Sequence, residues 1–174
     1  MGLLLAVSLL GCHKEEQAVA GVAQKAANAE QKAQAAATVR DQQRAALERI
    51  PLPTKSLYVD IHEPSQWANP FLTVEANVLD LRIILADANT SSLGAGTMLR
   101  PTAARRQELQ IRPADLAQAI VALPDSAWRY GRVIAVAEAP GASAKDRPAI
   151  RRNVEAAIQQ LNDLGIVVEE WPSH

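Results

Sequence analysis

Cysteine and aromatic residues are scarce in this chain of 174 residues. Cys12 is the single cysteine, which excludes an intrachain disulfide and any zinc site built from several cysteines. With one phenylalanine, two tyrosines and three tryptophans, a hydrophobic core has to be built mainly from leucine, isoleucine and valine.

Long apolar runs and an excess of basic charge are missing as well. No stretch reaches the roughly 18–20 apolar residues that a membrane-spanning helix needs. The formal net charge is -1 at pH 7, whereas nucleic-acid-binding proteins usually carry a strong basic excess. The length suits one domain with an appendage, and we expect no nucleic-acid partner.

The apolar residues that do cluster lie at the N-terminus and lead into the cysteine. Residues 3–10 read LLLAVSLL, an apolar stretch of signal-peptide length. It ends in Leu9-Leu10-Gly11-Cys12, which resembles the lipobox of bacterial lipoproteins. The resemblance implies that residues 1–11 are a cleaved signal peptide, that the Cys12 thiol carries a diacylglyceryl group and that the new amino terminus is acylated. At about 0.8 kcal/mol per buried methylene, two or three acyl chains give stable anchoring.

The residues around this motif bear on its destination. Residue 13 is histidine rather than aspartate, and by the sorting rule of this family the resemblance implies the inner leaflet of the outer membrane, facing the periplasm. One departure is that no lysine or arginine precedes the apolar run. An ordinary core element followed by a chance cysteine is the rival interpretation, and the abruptly polar sequence after Cys12 favours the signal peptide.

Residues 12–50 are predicted to form a tether. Alanine, glutamine, lysine, arginine and glutamate dominate the segment, and these are strong helix formers. Large apolar residues are too sparse for a heptad seam or for a packing face. We expect a solvated, partly helical spacer that ends before Pro51 and reaches roughly 50 Å if fully helical. A coiled-coil arm for self-association is the alternative.

Residues 54–174 are predicted to form a small α/β (α+β) domain. Pro113 and Pro148 suit the first turns of two helices, and Gly165 suits the C-terminal cap of the second. Strand patterns alternate with these helices. The expected architecture is a two-layer sandwich, a mixed sheet with two helices on one face. The predicted strands lie at residues 57–61, at the start of 71–78, and at 81–85, 107–112, 131–137 and 166–168, and the predicted helices lie at 113–124 and 148–164.

Within this domain, residues 107–171 include LPDSAWRYGRVIAVAE, which leads into a strand, and a final helix that ends in LNDLGIVV. This order, with Tyr130-Gly131 near a strand entry, resembles the periplasmic domain of ExbD/TolR-type biopolymer-transport proteins. That family anchors the domain by a transmembrane helix with a proton-coupling aspartate, and the sequence contains neither. The resemblance therefore implies at most a domain that binds peptidoglycan or an envelope partner. A common topology reached independently is the alternative.

Two groups of arginines are the candidate binding residues. Arginine binds anionic ligands through its planar set of donors, so a face for a partner or a glycan is one interpretation. Ordinary surface charge is the other, with Glu155 one turn after Arg151. The sequence does not decide whether the groups meet in space. The first group is Arg100, Arg105, Arg106 and Arg112, and the second is Arg147, Arg151 and Arg152.

No residue pattern supports catalysis. His62-Glu63 lacks the second histidine of a zinc-protease helix, because Gln66 stands in its place. The loop predicted at residues 87–97 contains two glycines but no phosphate-binding signature, and its serines lack the nucleophile context. We therefore predict no cofactor, no metal and no catalytic residue. The predicted function is a membrane-anchored envelope lipoprotein that docks a protein partner or peptidoglycan. An envelope hydrolase with an unrecognised site and a self-associating structural subunit remain open.

Overall fold

The computed structural model describes residues 12–85 and 106–172, with side chains from Gln24 onward. The predicted signal peptide, the predicted loop at 87–97, Arg100 and Arg105 lie outside the described residues. The chain divides into two compact units, residues 1–39 and residues 40–174. Across the described ranges, the structure contains no helix of sufficient length and hydropathy to cross a membrane.

The first unit contains most of one long helix. Helix α1 is 36 residues long and runs from Cys12 to Leu47. Every side chain from Gln24 to Ala36 is exposed, as expected for a helix that is polar on all sides and has no apolar stripe to bury. A helix thus lies where the sequence predicts a partly helical tether.

The second unit confirms the predicted fold class, an α+β domain with a mixed sheet. Its strands and helices are β1 Phe71–Val74, β2 Leu79–Ile84, β3 Arg106–Ile111, α2 Leu116–Val121, β4 Val133–Glu138, α3 Arg147–Asp163 and β5 Val167–Trp171. The five strands are ordered β3-β2-β1-β4-β5. Neighbours β1 and β2 are antiparallel, as are β2 and β3, whereas β4 runs parallel to both β1 and β5. Helix α3 supplies the crossover that the parallel pair β4 and β5 requires.

One face of the sheet packs on the two helices. Alternate residues of the strands, such as Leu72 and Ile134, form one buried cluster with residues of α2 and α3. Helix α3 contributes a stripe at helical spacing, from Ile150 through Leu161, as the sequence predicts. Gly165, with φ of +75°, ends this helix where the sequence places its cap, and the Ile166 amide donates to the Leu161 carbonyl at 3.1 Å.

The other face of the sheet is partly covered by an aromatic cluster. Tyr58 and Trp67 pack on Phe71 and on the inward residues of β4. The strand predicted at residues 57–61 is wrong, because a single 3₁₀ turn spans Lys55–Leu57 and further turns follow it. Its amides bond locally to carbonyls three or four residues back, so the alternating pattern here reflects a turn with one side on the sheet.

The compact unit begins before the predicted residue 54. Leu47 is fully buried and Ile50 is 2% exposed, both in the helix-side core. Two hydrogen bonds attach the following segment: the Arg132 amide donates to the Pro51 carbonyl at 2.9 Å, and the Thr54 amide donates to the Tyr130 carbonyl at 3.1 Å. The end of α1 and the proline segment therefore belong to the domain.

Candidate binding groove

The face opposite the helices carries a groove, and the strand register explains its shape. One lateral row of side chains crosses all five strands, and its members are Gln110, Asp80, Thr73, Ala137 and Trp171. Residues of one row on one face stand side by side. Because Thr73 and Ala137 on the central strands are small, the row is low in the middle and high at both ends. The resulting groove has a volume of about 570 Å³.

A second lateral row supplies an arginine that is held against the sheet. Arg82 stands between Glu108 on β3 and Phe71 on β1. Its guanidinium carbon lies 4.6 Å from the centroid of the Phe71 ring, and its Nη2 donates to the Pro64 carbonyl at 2.5 Å. Burial is the main cause that lowers the pKa of Arg82, and the nearby Arg106 adds to it while Glu108 opposes it. The Arg82 guanidinium is thus partly desolvated, and it already interacts with the Phe71 ring and the Pro64 carbonyl.

Trp171 forms the wall of the groove at the β5 edge. Its ring packs edge-on against Phe71, with centroids 5.6 Å apart, and against Trp67, with centroids 5.7 Å apart. The side chain is half-buried, so part of the indole faces the groove. Buried aromatic neighbours fix its position, which gives the groove a rigid apolar wall.

The charge of the groove is mainly negative. Its lining contains one arginine, Arg82, and four carboxylates, Glu75, Asp80, Glu108 and Glu138. One of these, Glu138, lies 3.9 Å from Arg151 at the rim. A concave surface lined by one sign of charge concentrates the opposite sign in solution. The groove is therefore suited to a ligand with positive charge and some apolar surface.

A smaller cavity of about 490 Å³ shares the Trp171 wall. Its lining includes Tyr58, His62 and Glu169. The pKa of Tyr58 is raised, first by burial and then by the nearby carboxylate of Glu169. In the described ranges, no three histidine, cysteine or acidic side chains come together as metal ligands.

The described arginines of the sequence prediction lie on separate elements. Arg106 and Arg112 are at opposite ends of the edge strand β3, and Arg147, Arg151 and Arg152 begin α3. Helix α3 packs on β1, β4 and β5. The structure therefore places the described members of the two groups on different parts of the domain.

Two of these arginines have carboxylate partners. Arg112 Nε donates to Asp115 at 2.7 Å, and this hydrogen bond raises the Arg112 pKa. Arg151 donates to Glu170 at 2.6 Å and to Glu155 at 3.2 Å, and Glu170 is the main cause that raises its pKa. Arg106, Arg147 and Arg152 are exposed. No sequence pattern indicates the carboxylates of the groove, because only the register of β2 with β3 shows that Asp80 and Glu108 share a face.

Comparisons of the chain with protein-family models, with curated protein sequences and with solved structures found no match.

Proposed function

We propose that this chain is a bacterial envelope lipoprotein, anchored through acylated Cys12 in the inner leaflet of the outer membrane, whose α+β domain docks an envelope partner. Two sequence features support the anchor: the Leu9-Leu10-Gly11-Cys12 motif and the polar residues that follow it. The exposed part of α1, from Gln24 to Ala36, is the spacer in this proposal.

The groove is the observation that carries the docking role. It crosses five strands, and four strand spacings of about 4.8 Å give it a length of about 19 Å across the sheet. Its lining combines an aromatic wall, a low floor and charged side chains. An open groove of this length fits an extended chain, because about six residues at 3.3 Å each span it.

The anchor is tested by fractionating cells that make the wild-type chain, Cys12→Ser or the control His13→Ser. We expect the wild type and the control to sediment with membranes and to incorporate labelled fatty acid. The Cys12→Ser chain is expected in the soluble fraction without label. Equal sedimentation of all three chains, with no label on Cys12, would contradict lipid anchoring.

Docking is tested by placing a photo-crosslinking residue at Gln110, which lines the groove, and at Gln159 on α3 as a matched control. Both glutamines are exposed. We expect adducts in intact cells from position 110 and none from position 159. Adducts that collapse on muramidase digestion identify peptidoglycan, and discrete bands that resist it identify a protein. Equal yields from the two positions would exclude the groove as the docking site.

A further inference from the structure

We infer that the groove binds a basic, extended segment of a protein partner, with lysine or arginine side chains on the carboxylates and against Trp171. This inference rests on the proposed docking function and names the chemistry of the partner. It uses only the described face of the sheet, on which the register of the five strands places every residue concerned.

Charge is the first argument for a basic segment. Four carboxylates line the groove, and its one arginine is turned to neighbours on the protein, the Phe71 ring and the Pro64 carbonyl. Asp80 is half-buried and Glu108 is exposed, so both remain accessible to a ligand. Carboxylates accept charge-assisted hydrogen bonds from ammonium and guanidinium groups, and these are stronger than neutral ones.

The arrangement of the lining is the second argument. Asp80 and Glu108 lie on β2 and β3, whereas Trp171 lies on β5, and the small Thr73 and Ala137 lie between them. A peptide that crosses the strands has room for its backbone over the low floor. One basic side chain reaches the carboxylates at one end, and another reaches the Trp171 indole at the other, where the ring face attracts a cation.

The same charges oppose an anionic ligand. Peptide carboxylates or phosphates in the groove would face Glu75, Asp80 and Glu108 at close range, and like charges repel. Two arginines that would attract such groups, Arg112 and Arg151, already hold carboxylates of their own domain. The groove therefore favours a basic segment over an acidic one.

The test uses the full chain with Cys12→Ser, which leaves the described domain unchanged and removes the predicted acylation. The probe is a dye-labelled hexapeptide of alternating lysine and serine, and its counterparts carry glutamine or glutamate in place of lysine. Fluorescence anisotropy measures binding. We expect the lysine peptide to bind at least about tenfold more tightly than the glutamine peptide, with affinity that falls as salt is added. The glutamate peptide is expected not to bind.

Matched variants locate the binding. Asp80→Asn with Glu108→Gln removes two charges from the groove with little change in shape, and we expect it to weaken the lysine peptide at least about tenfold. Asp41→Asn with Glu48→Gln removes two exposed charges, one near the end of α1 and one just after it, and is expected to leave binding unchanged. Thr73→Leu raises the floor without changing charge and is expected to weaken binding too. Thermal melts confirm that each variant is folded.

Three results would overturn the inference. The first is equal binding of the lysine and glutamine peptides, and the second is an equal loss in the two charge variants. The third is co-sedimentation with purified peptidoglycan that the groove variant abolishes, without binding of the lysine peptide. Since the measurements use a chain without lipid, a soluble wild type in the fractionation test would refute the anchor and leave the groove result intact.

Discussion

The side-chain amide of Asn69 donates to the main-chain carbonyl of Gly131 at 2.8 Å. Asn69 has no solvent-exposed area, and it also donates to the Val133 carbonyl and accepts from the Tyr130 amide, each at 2.8 Å. This one side chain therefore joins the segment before β1 to the turn before β4. These are the two central strands that carry the floor of the groove.

Asn69→Ala is expected to lower the free energy of unfolding by about 3 kcal/mol or more, because it leaves buried main-chain groups without hydrogen-bond partners. Asn153→Ala is the matched control. Asn153 also donates to two carbonyls, those of Glu75 and Ala76, but it is only half-buried, so water can replace its bonds. Urea denaturation measures both. Equal losses would show that burial of the Asn69 network is not what makes it costly to remove.

Gly131→Ala is expected to destabilise the domain more than Gly141→Ala. Both glycines have positive φ, +86° and +74°, so each alanine incurs about 1–2 kcal/mol of backbone strain. At Gly131 a methyl group would also lie 2.6 Å from the Leu52 carbonyl oxygen, whereas at Gly141 nothing lies within 4 Å. Thermal denaturation of both variants separates the two effects. If Gly141→Ala lowers the stability as much as Gly131→Ala does, backbone strain at positive φ accounts for the whole loss and the contact with Leu52 adds nothing.

Leu47→Ala is expected to lower the free energy of unfolding by about 2–5 kcal/mol, the usual cost of truncating a buried leucine. Val39→Ala, eight positions earlier on the same helix, changes a side chain that is 51% exposed and is expected to change stability by less than about 0.5 kcal/mol. Chemical denaturation provides both values.

A chain that begins at Thr54 extends the same test, because it lacks both Leu47 and Ile50. We expect it to lose its cooperative unfolding transition, while a chain that begins at Arg40 keeps it. An unchanged transition in the chain from Thr54 would mean that the end of α1 adds nothing to the core.

Tyr58 predicts a loss of stability at alkaline pH. Burial and Glu169 raise its pKa in the folded state, so its contribution to stability is fully present below the unfolded pKa of about 10. Above that pH the unfolded chain ionises while the folded one stays protonated, and stability falls as pH rises towards the folded pKa. When the free energy of unfolding is measured between about pH 8 and pH 11, we expect it to fall less in the Tyr58→Phe variant than in the wild type. Parallel curves for the two proteins would refute the shift.

Several elements of the fold were predictable from local patterns. The stripe on α3 and its glycine cap were correct, because a helix buries residues at a period of 3.6 and ends in a left-handed turn. The five strands of the sheet match predicted segments, although their ends differ by a few residues. The extra strand at residues 57–61 was wrong, because alternation records only which side chains are buried and not whether a neighbouring strand supplies main-chain hydrogen bonds.

The groove could not be predicted from the sequence. Asp80 and Glu108 are far apart along the chain, and only the antiparallel register of β2 with β3 brings Glu108 opposite Arg82 and onto the same face as Asp80. The arginines were the opposite case, because the sequence suggested a binding role that the structure does not support for two of them. As a motif they suggested an anion-binding face, but Arg112 and Arg151 are paired with carboxylates of their own domain. Pairing of charges depends on distances that a list of residues does not contain.

The sequence by itself determined the class of fold and the candidate lipid-bearing Cys12, because periodicity, helix caps and a contiguous motif are local properties of the chain. Tertiary structure alone decided where the domain begins, which charges stay accessible and where the groove lies. Each of these features depends on residues that are distant in sequence. The examples are the burial of Leu47, the hydrogen bond from Asn69 to Gly131, and the pairing of Thr73 with Ala137 in the floor of the groove. Such contacts follow from how strands and helices pack, which local pattern does not specify.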